Sequence, residues 1–402
     1  MSAAADPRLF GPRPAPARHI HLTWSDPRFR NLVWQVVVVG VVAAVAWYLI
    51  GNTMRNLEAR HVATGFAFLG RVAGIPIGES LLPYDPAVNT YGRALLIGVL
   101  NTAKVAIAGI VLATILGTLI GIGRLTRNWL LSRLAAVYVE VMRDIPVLLQ
   151  LLFWYLLLQN LPAPRQSLHI GSLVFLSNRG IKIVLVAWQP AYIWVALALL
   201  VGLALTLAWN RVARRRQDAT GVKPPVWPLA LVLLVGVPMA VWVAFGAPLA
   251  LDYPALKGFN FQGGGSISPE CGALLAGLVF YTAAYIAEIV RAGIQAVPLG
   301  QWEAAEALGL HRSMVLRLVA LPQALRVIIP PLTSEFLNLT KNSSLAVAIG
   351  FQDIVSVAGT TLNQTGQAIE GITIIMVVYL AISLSISAFM NWYNAHIALV
   401  ER

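Results

Sequence analysis

Of the 402 residues, 58% are hydrophobic and only 11% are charged, with a mean hydropathy of +0.73, which leaves too few polar side chains to cover a water-soluble globule. A net charge of +12 would suggest a nucleic-acid ligand for a soluble chain, but in a membrane chain the placement of basic residues matters more than their sum. The single cysteine, Cys271, excludes an internal disulfide and a cysteine-based metal cluster.

Residues 1–31, rich in Pro, Ala and Arg, read as a cytoplasmic tail that is disordered or lies along the anionic inner leaflet. Its His19 and His21 read as a solvated pair, because two ligands alone seldom make a metal site. Apolar runs of about 20 residues then follow near 32–50, 103–123, 145–161, 185–208, 226–250, 271–290, 322–338 and 371–391. These predict an all-α polytopic membrane protein with about eight spans. The short alternating segments of a β-barrel are absent, and the first run is too long for the core of a cleaved signal peptide.

Basic residues set the orientation. Arg8, Arg13, Arg18, Arg28 and Arg30 precede the first span, and Arg124, Arg127, Arg133 and Arg143 follow the second. Arg211, Arg214, Arg215, Arg216 and Lys223 follow the fourth, while Arg291, Arg312 and Arg317 follow the sixth, so both termini and the segment 298–322 are predicted to be cytoplasmic. Arg55, Arg60, Arg71, Arg165 and Arg179 dilute this bias after spans one and three. On the other side, 51–92 is a long periplasmic loop, and 251–269 is a turn-rich segment containing Gly263-Gly264-Gly265. No Lys follows a Gly anywhere, so the Walker A loop does not exist here and the chain does not bind ATP through one.

Two segments echo each other, Tyr138 to Arg143 and Tyr285 to Arg291. Each sets a Glu three residues before an Arg, so Glu140 with Arg143 and Glu288 with Arg291 are expected to pair at the inner interface. Such pairs either anchor helix ends or line an inner gate. In span two, Gly109, Gly117, Gly121 and Gly123 include a Gly-x-x-x-Gly that permits close helix packing, and Ser383, Ser385, Ser387 and Asn391 in the last span read as interhelical hydrogen-bond partners.

Span seven carries the candidate pathway. Pro330-Pro331 removes two backbone donors and is expected to bend the helix, and Asn338, Lys341, Asn342, Ser343 and Ser344 follow in a polar stretch. Carriers place substrates where helices break, so Lys341 reads as a carboxylate partner with the Asn and Ser side chains as hydrogen-bonding groups. The competing reading is that Lys341 snorkels to the outer surface, since a straight helix from Pro322 would lift it about 30 Å.

Between spans six and seven lies Glu303-Ala304-Ala305, then Gly309, Val319 and Leu321-Pro322. A helix starting near Gln301 would put Glu303 and Glu306 in its first turn, and Gly309 would end it. A second piece from Arg312 to Ala320 would bury Met314, Val315, Leu318 and Val319 with Arg312 and Arg317 facing water. Two short helices joined at a glycine elbow make a rigid knob that another protein can push.

This pattern meets each position of the EAA motif of binding-protein-dependent ABC importer permeases, which the chain resembles. Tyr281 to Gln295, Leu321 to Arg326 and Asn338 to Ser344 resemble the polar amino-acid (histidine/glutamine type) permeases. The likeness covers roughly 90–160 and 266–395; the extra first span and the pair of spans inserted within 162–265 resemble the Q-type permease of general L-amino acid ABC transporters. The resemblance implies a type I (MetI-like) permease core, here 93–161 and 266–402, in a bacterial inner membrane. It implies a second related permease subunit as a heterodimer partner, two ATPase subunits, and a periplasmic amino-acid-binding protein, with no nucleic acid. It also implies broad L-amino acid import, ATP and Mg used by the partner subunits with no cofactor on this chain, and the segment holding Glu303, Ala304, Ala305, Gly309, Leu321 and Pro322 as the coupling loop.

An ion-driven secondary transporter would instead show matched halves and membrane-buried carboxylates, whereas acidic residues here are expected to avoid span centres, with Glu140 and Glu288 near inner ends. A scaffold protein would not need the polar stretch of span seven.

Overall fold

The computed structural model describes residues 24, 27–59, 64–222 and 224–397. Arg8, Arg13, Arg18, His19, His21, Arg60 and Lys223 lie outside the described residues. The first unit, up to Gly65, holds one helix, α1 (Pro27–Ala59), apolar on all sides over Phe29–Asn56 and long enough to cross a bilayer.

The second unit begins at Phe66 and contains every other element. Helix α2 (Tyr91–Arg124) starts twelve residues before the predicted run, with Thr90 accepting from the Arg93 N–H as its N-cap. Its first turns carry Asn101, Thr102 and Lys104, which interrupt the apolar run in the sequence. Each finds a partner far along the chain: Asn101 donates to the Glu79 and Gln352 carbonyls, Thr102 accepts from the Ile354 N–H, and Lys104 pairs with Glu79. With their donors and charges paired in this way, polar side chains are tolerated inside a spanning helix, although Asn101 Oδ1 is buried without a partner among the described residues.

The predicted third span is a bent pair. Helix α3 (Trp129–Asp144) meets α4 (Val147–Gln159) at 104°, and α4 alone is too short to cross. Pro146 opens the bend, and Gln150 donates to the Met142 and Ile145 carbonyls that the bend leaves free. With this pair counted as one, the described residues hold eight helical segments long and apolar enough to span a membrane; otherwise seven.

The inserted region holds strands where the sequence pattern predicts loops. Strands β1 (Leu168–Ile170), β2 (Val174–Ser177) and β3 (Gly180–Ile183) precede β4 (Leu185–Val186). Helix α5 (Ala191–Thr220) and a second helix, running from α6 (Trp227–Leu231) through a π turn to α7 (Val237–Ala244), form a hairpin, followed by β5 (Leu251–Asp252), β6 (Ala255–Lys257), β7 (Asn260–Gln262) and β8 (Gly265–Ile267). The main sheet is antiparallel in the order β1-β2-β3-β8, with Val174 opposite Ile183 and Ile181 opposite Ile267; β4 pairs with β5 and β6 with β7. Strands from either side of the hairpin therefore close onto each other.

Helix α8 (Pro269–Gln295) is the centre of the core. It packs on α2, α3, α4 and α11 (Leu321–Asn342), burying Leu274, Leu278, Ile286 and Val290. The Gly117 and Gly121 pair is where α2 touches it: a Cβ at either glycine would stand 2.7 Å from the carbonyl oxygen of Ala283 or Ala287. Helices α12 (Ile354–Thr365) and α13 (Ala368–Ile397) complete the bundle. In α13, Ser385 bonds its own helix at Ala381, and among the described residues Ser383, Ser387 and Asn391 make no interhelical hydrogen bond, contrary to expectation.

Prolines act differently from the expectation. Helix α11 runs unbroken through Pro330-Pro331, held by Ile329 and Leu332 buried on either side; the backbone tightens later, into a 3-10 turn over Ser343–Ile349. The real adjustments precede Pro322 and Pro238. In each case a five-residue π turn, Leu316–Ala320 or Val232–Gly236, ends with the residue before the proline donating five residues back. Widening the turn removes the clash of the proline ring with the carbonyl four residues earlier.

Candidate functional site

The glycine elbow stands at the end of α8 opposite the sheet. Helix α9 (Leu299–Ala307) starts directly behind Pro298, two residues before the predicted Gln301, so Glu303 and Glu306 lie beyond its first turn and are exposed. Ala305 is buried and Trp302 packs on the core, while Ala304 faces outward. Gly309 adopts φ +73°, and the Gly309 and Leu310 N–H groups close back on Glu306 and Ala305 at 2.9 and 3.3 Å. This paired closure requires a left-handed residue, which glycine supplies without strain.

After the elbow, α10 (Arg312–Val315) continues through the π turn into α11 as one helical rod. Of the four residues expected to be buried, Val315 is buried and Val319 half-buried, but Met314 and Leu318 are exposed; the π turn over Leu316–Ala320 shifts the helical register after Val315, and with it Leu318. Leu299 and Leu308, 78% and 80% exposed, give the knob an apolar tip beside Glu303. Leu321 and Pro322 join it rigidly to α11.

A second site lies near the middle of α8. Tyr281 and Tyr285 of α8 and Glu335, Asn338, Lys341 and Asn342 of α11 line an open cavity of about 350 Å³. The two tyrosine hydroxyls lie 3.2 Å apart. On α11 the lining residues fall three or four apart, on one face. The Arg143 guanidinium lies over the Tyr285 ring, 5.1 Å from its centroid, bringing a second cation to the rim. Ser343 and Ser344 do not line this space; their hydroxyls bond the Thr340 and Lys341 carbonyls at 2.7 Å.

Of the two expected Glu–Arg pairs, one forms. Glu288 binds Arg291 and also Arg124 of α2, which ties α2 to α8 one turn beyond Tyr285. Glu140 is exposed and does not pair with Arg143, whose side chain turns toward Tyr285 instead.

The family described as the binding-protein-dependent transport system inner membrane component matches residues 223–399. The General L-amino acid transport system permease protein AapQ of Rhizobium johnstonii is 51% identical over 380 residues, which span 94% of each chain. The chain belongs to the amino-acid ABC permease family. The Glutamate/glutamine/aspartate/asparagine transport system permease protein BztB of Rhodobacter capsulatus is also similar, 41% identical across the full length of both chains. At these coverages the matches extend over the inserted region as well as the core.

Two side chains of the permease escape sequence reasoning. Glu335 contradicts the expectation that carboxylates avoid span interiors: it lines the cavity from within α11. Its signal in the sequence is an acidic residue on the stripe that reaches Asn338 and Asn342. Glu79 is the other. It pairs with Lys104 and accepts from the Ser268 hydroxyl at 2.9 Å, tying the loop before α2 to the N-cap of α8. Nothing local marks it, since both partners are distant in sequence.

Proposed function

We propose that this permease is one of two related transmembrane subunits of an ATP-driven importer that carries L-amino acids of several kinds from the periplasm to the cytoplasm. In this reading it sits in the inner membrane with both termini and the elbow on the cytoplasmic side and the small sheets outside. It holds no nucleotide; ATP and Mg are used by two separate ATPase subunits, and a periplasmic amino-acid-binding protein delivers substrate. The observation that carries the reading is the elbow. Gly309 locks a short, exposed helix with an apolar tip onto a rod that runs without a break to Lys341. A push on the tip is therefore transmitted to the cavity of Glu335, Asn338, Lys341 and Asn342.

That cavity fits a zwitterion. Lys341 and Arg143 offer cations to a carboxylate, Glu335 an anion to an ammonium, and the tyrosine hydroxyls and Asn amides hydrogen bonds. Because it is open on one side, the second permease subunit would complete its wall.

The test is reconstitution of the chain with its co-isolating subunits in proteoliposomes, followed by uptake of a panel of labelled amino acids with and without ATP. Uptake that needs ATP and the binding protein supports the importer. Uptake driven by an ion gradient without ATP would replace it with a secondary carrier.

A further inference from the structure

The inserted hairpin carries a feature that import does not require. Between α5 and α7 runs a groove of about 600 Å³, walled by Trp194, Leu197, Val201 and Leu205 on one side and Val237 and Phe245 on the other. Every lining residue is apolar. Steps of three or four residues carry the α5 side of this groove onward through Ala208 and Val212 to Arg215 and Arg216, so one helix face is apolar along most of its length and cationic at its end.

Arg216 reaches back toward the groove. Helical side chains lean toward the N-terminus of their helix, and the Arg216 guanidinium lies 6.0 Å from the centroid of the Trp209 ring, two turns nearer the groove than its own backbone. From Trp209 to Leu205 is about 6 Å of helix rise. Both arginines are exposed, and among the described residues neither takes part in an ion pair.

We propose that the α5–α7 groove, with Arg215 and Arg216 at its end, binds one anionic phospholipid, its acyl chain in the groove and its phosphate on the guanidinium groups. Guanidinium forks match phosphate oxygens in geometry and charge, and an apolar trough in a membrane is filled by hydrocarbon. The groove is about 16 Å long from Trp194 to Leu205, which suits an extended chain. A polypeptide helix of that length, about 10 Å across, would fill roughly twice the volume available and leave the arginines without a counter-charge.

The test uses the full chain with its co-isolating subunits, in nanodiscs of equal phosphatidylglycerol and phosphatidylethanolamine, and counts lipid retained after delipidation by native mass spectrometry. The wild type should keep one phosphatidylglycerol. The double variant Arg215→Gln/Arg216→Gln should lose its preference for phosphatidylglycerol by about 30-fold, and Val201→Trp should expel lipid of either headgroup while the subunits stay assembled. Should Val201→Trp fail to fold, the arginine variant alone decides. Equal retention of phosphatidylglycerol by wild type and arginine variant overturns the proposal, and so does a protein segment cross-linked into the groove from position 201.

Discussion

The Arg143 guanidinium stacks on the ring of Tyr285, 5.1 Å from its centroid, and so joins the end of α3 to the middle of α8 at the rim of the cavity. A cation held by an aromatic face keeps its charge available, whereas one paired with Glu140 would be neutralised. Arg143→Gln should therefore lower ATP-driven uptake about fivefold, the equivalent of about 1 kcal/mol. Glu140→Gln should leave uptake unchanged; equal losses in both variants would restore the Glu140 pairing.

The opposite charges of the cavity make a paired prediction. Glu335→Gln and Lys341→Met should each reduce uptake about tenfold or more, since a hydrogen bond to a charged group contributes about 1.5–3 kcal/mol. Complex recovery should be normal. If both variants transport at the wild-type rate, the cavity is not on the pathway.

At the elbow, a β-branched residue in place of Gly309 would have to hold φ +73°, at a cost of about 1–2 kcal/mol. Gly309→Val, Glu303→Lys and Leu308→Asp should each uncouple ATP hydrolysis from uptake or weaken recovery of the ATPase subunits, with little effect on insertion of the chain. Hydrolysis and uptake measured on the same proteoliposomes distinguish the two outcomes.

Helix contact rather than conformation governs Gly117. Any side chain there meets the Ala283 carbonyl and Ile286, while a Cβ at Gly123 finds its nearest atom at 3.8 Å. Gly117→Val should destabilise the chain by about 1–3 kcal/mol, seen as lower thermal stability in detergent, and Gly123→Ala should be neutral.

Gln150 provides a test of the bend. Gln150→Leu leaves the Met142 and Ile145 carbonyls without their donor and should cost about 1–3 kcal/mol in thermal stability. A neutral result would mean that Pro146 alone maintains the angle.

Part of the candidate site is legible in the order of residues alone. The elbow is contiguous in the chain and its geometry follows from one glycine, so Gly309 and the buried Val315 fall where the spacing puts them. The exposed Met314 and Leu318 do not, and Leu318 lies in a π turn that nothing in the local spacing announces. Asn338, Lys341 and Asn342 stand out as polar residues in an apolar run. Glu335 does not, because its meaning depends on facing Tyr281 and Tyr285 from a helix that continues unbroken through its two prolines.

What the sequence by itself determined was the membrane helices other than the bent α3–α4 pair, the close Gly117 and Gly121 contact, and the elbow, since these depend on local hydropathy, on side-chain size and on a single backbone conformation. Tertiary structure decided which polar groups meet: Glu288 with Arg124, Glu79 with Lys104 and Ser268, and β3 with β8 across the intervening hairpin. Local patterns specify how a segment folds, but partners distant in the chain are selected only when packed faces bring them within a few ångströms in a medium where unpaired charges are costly.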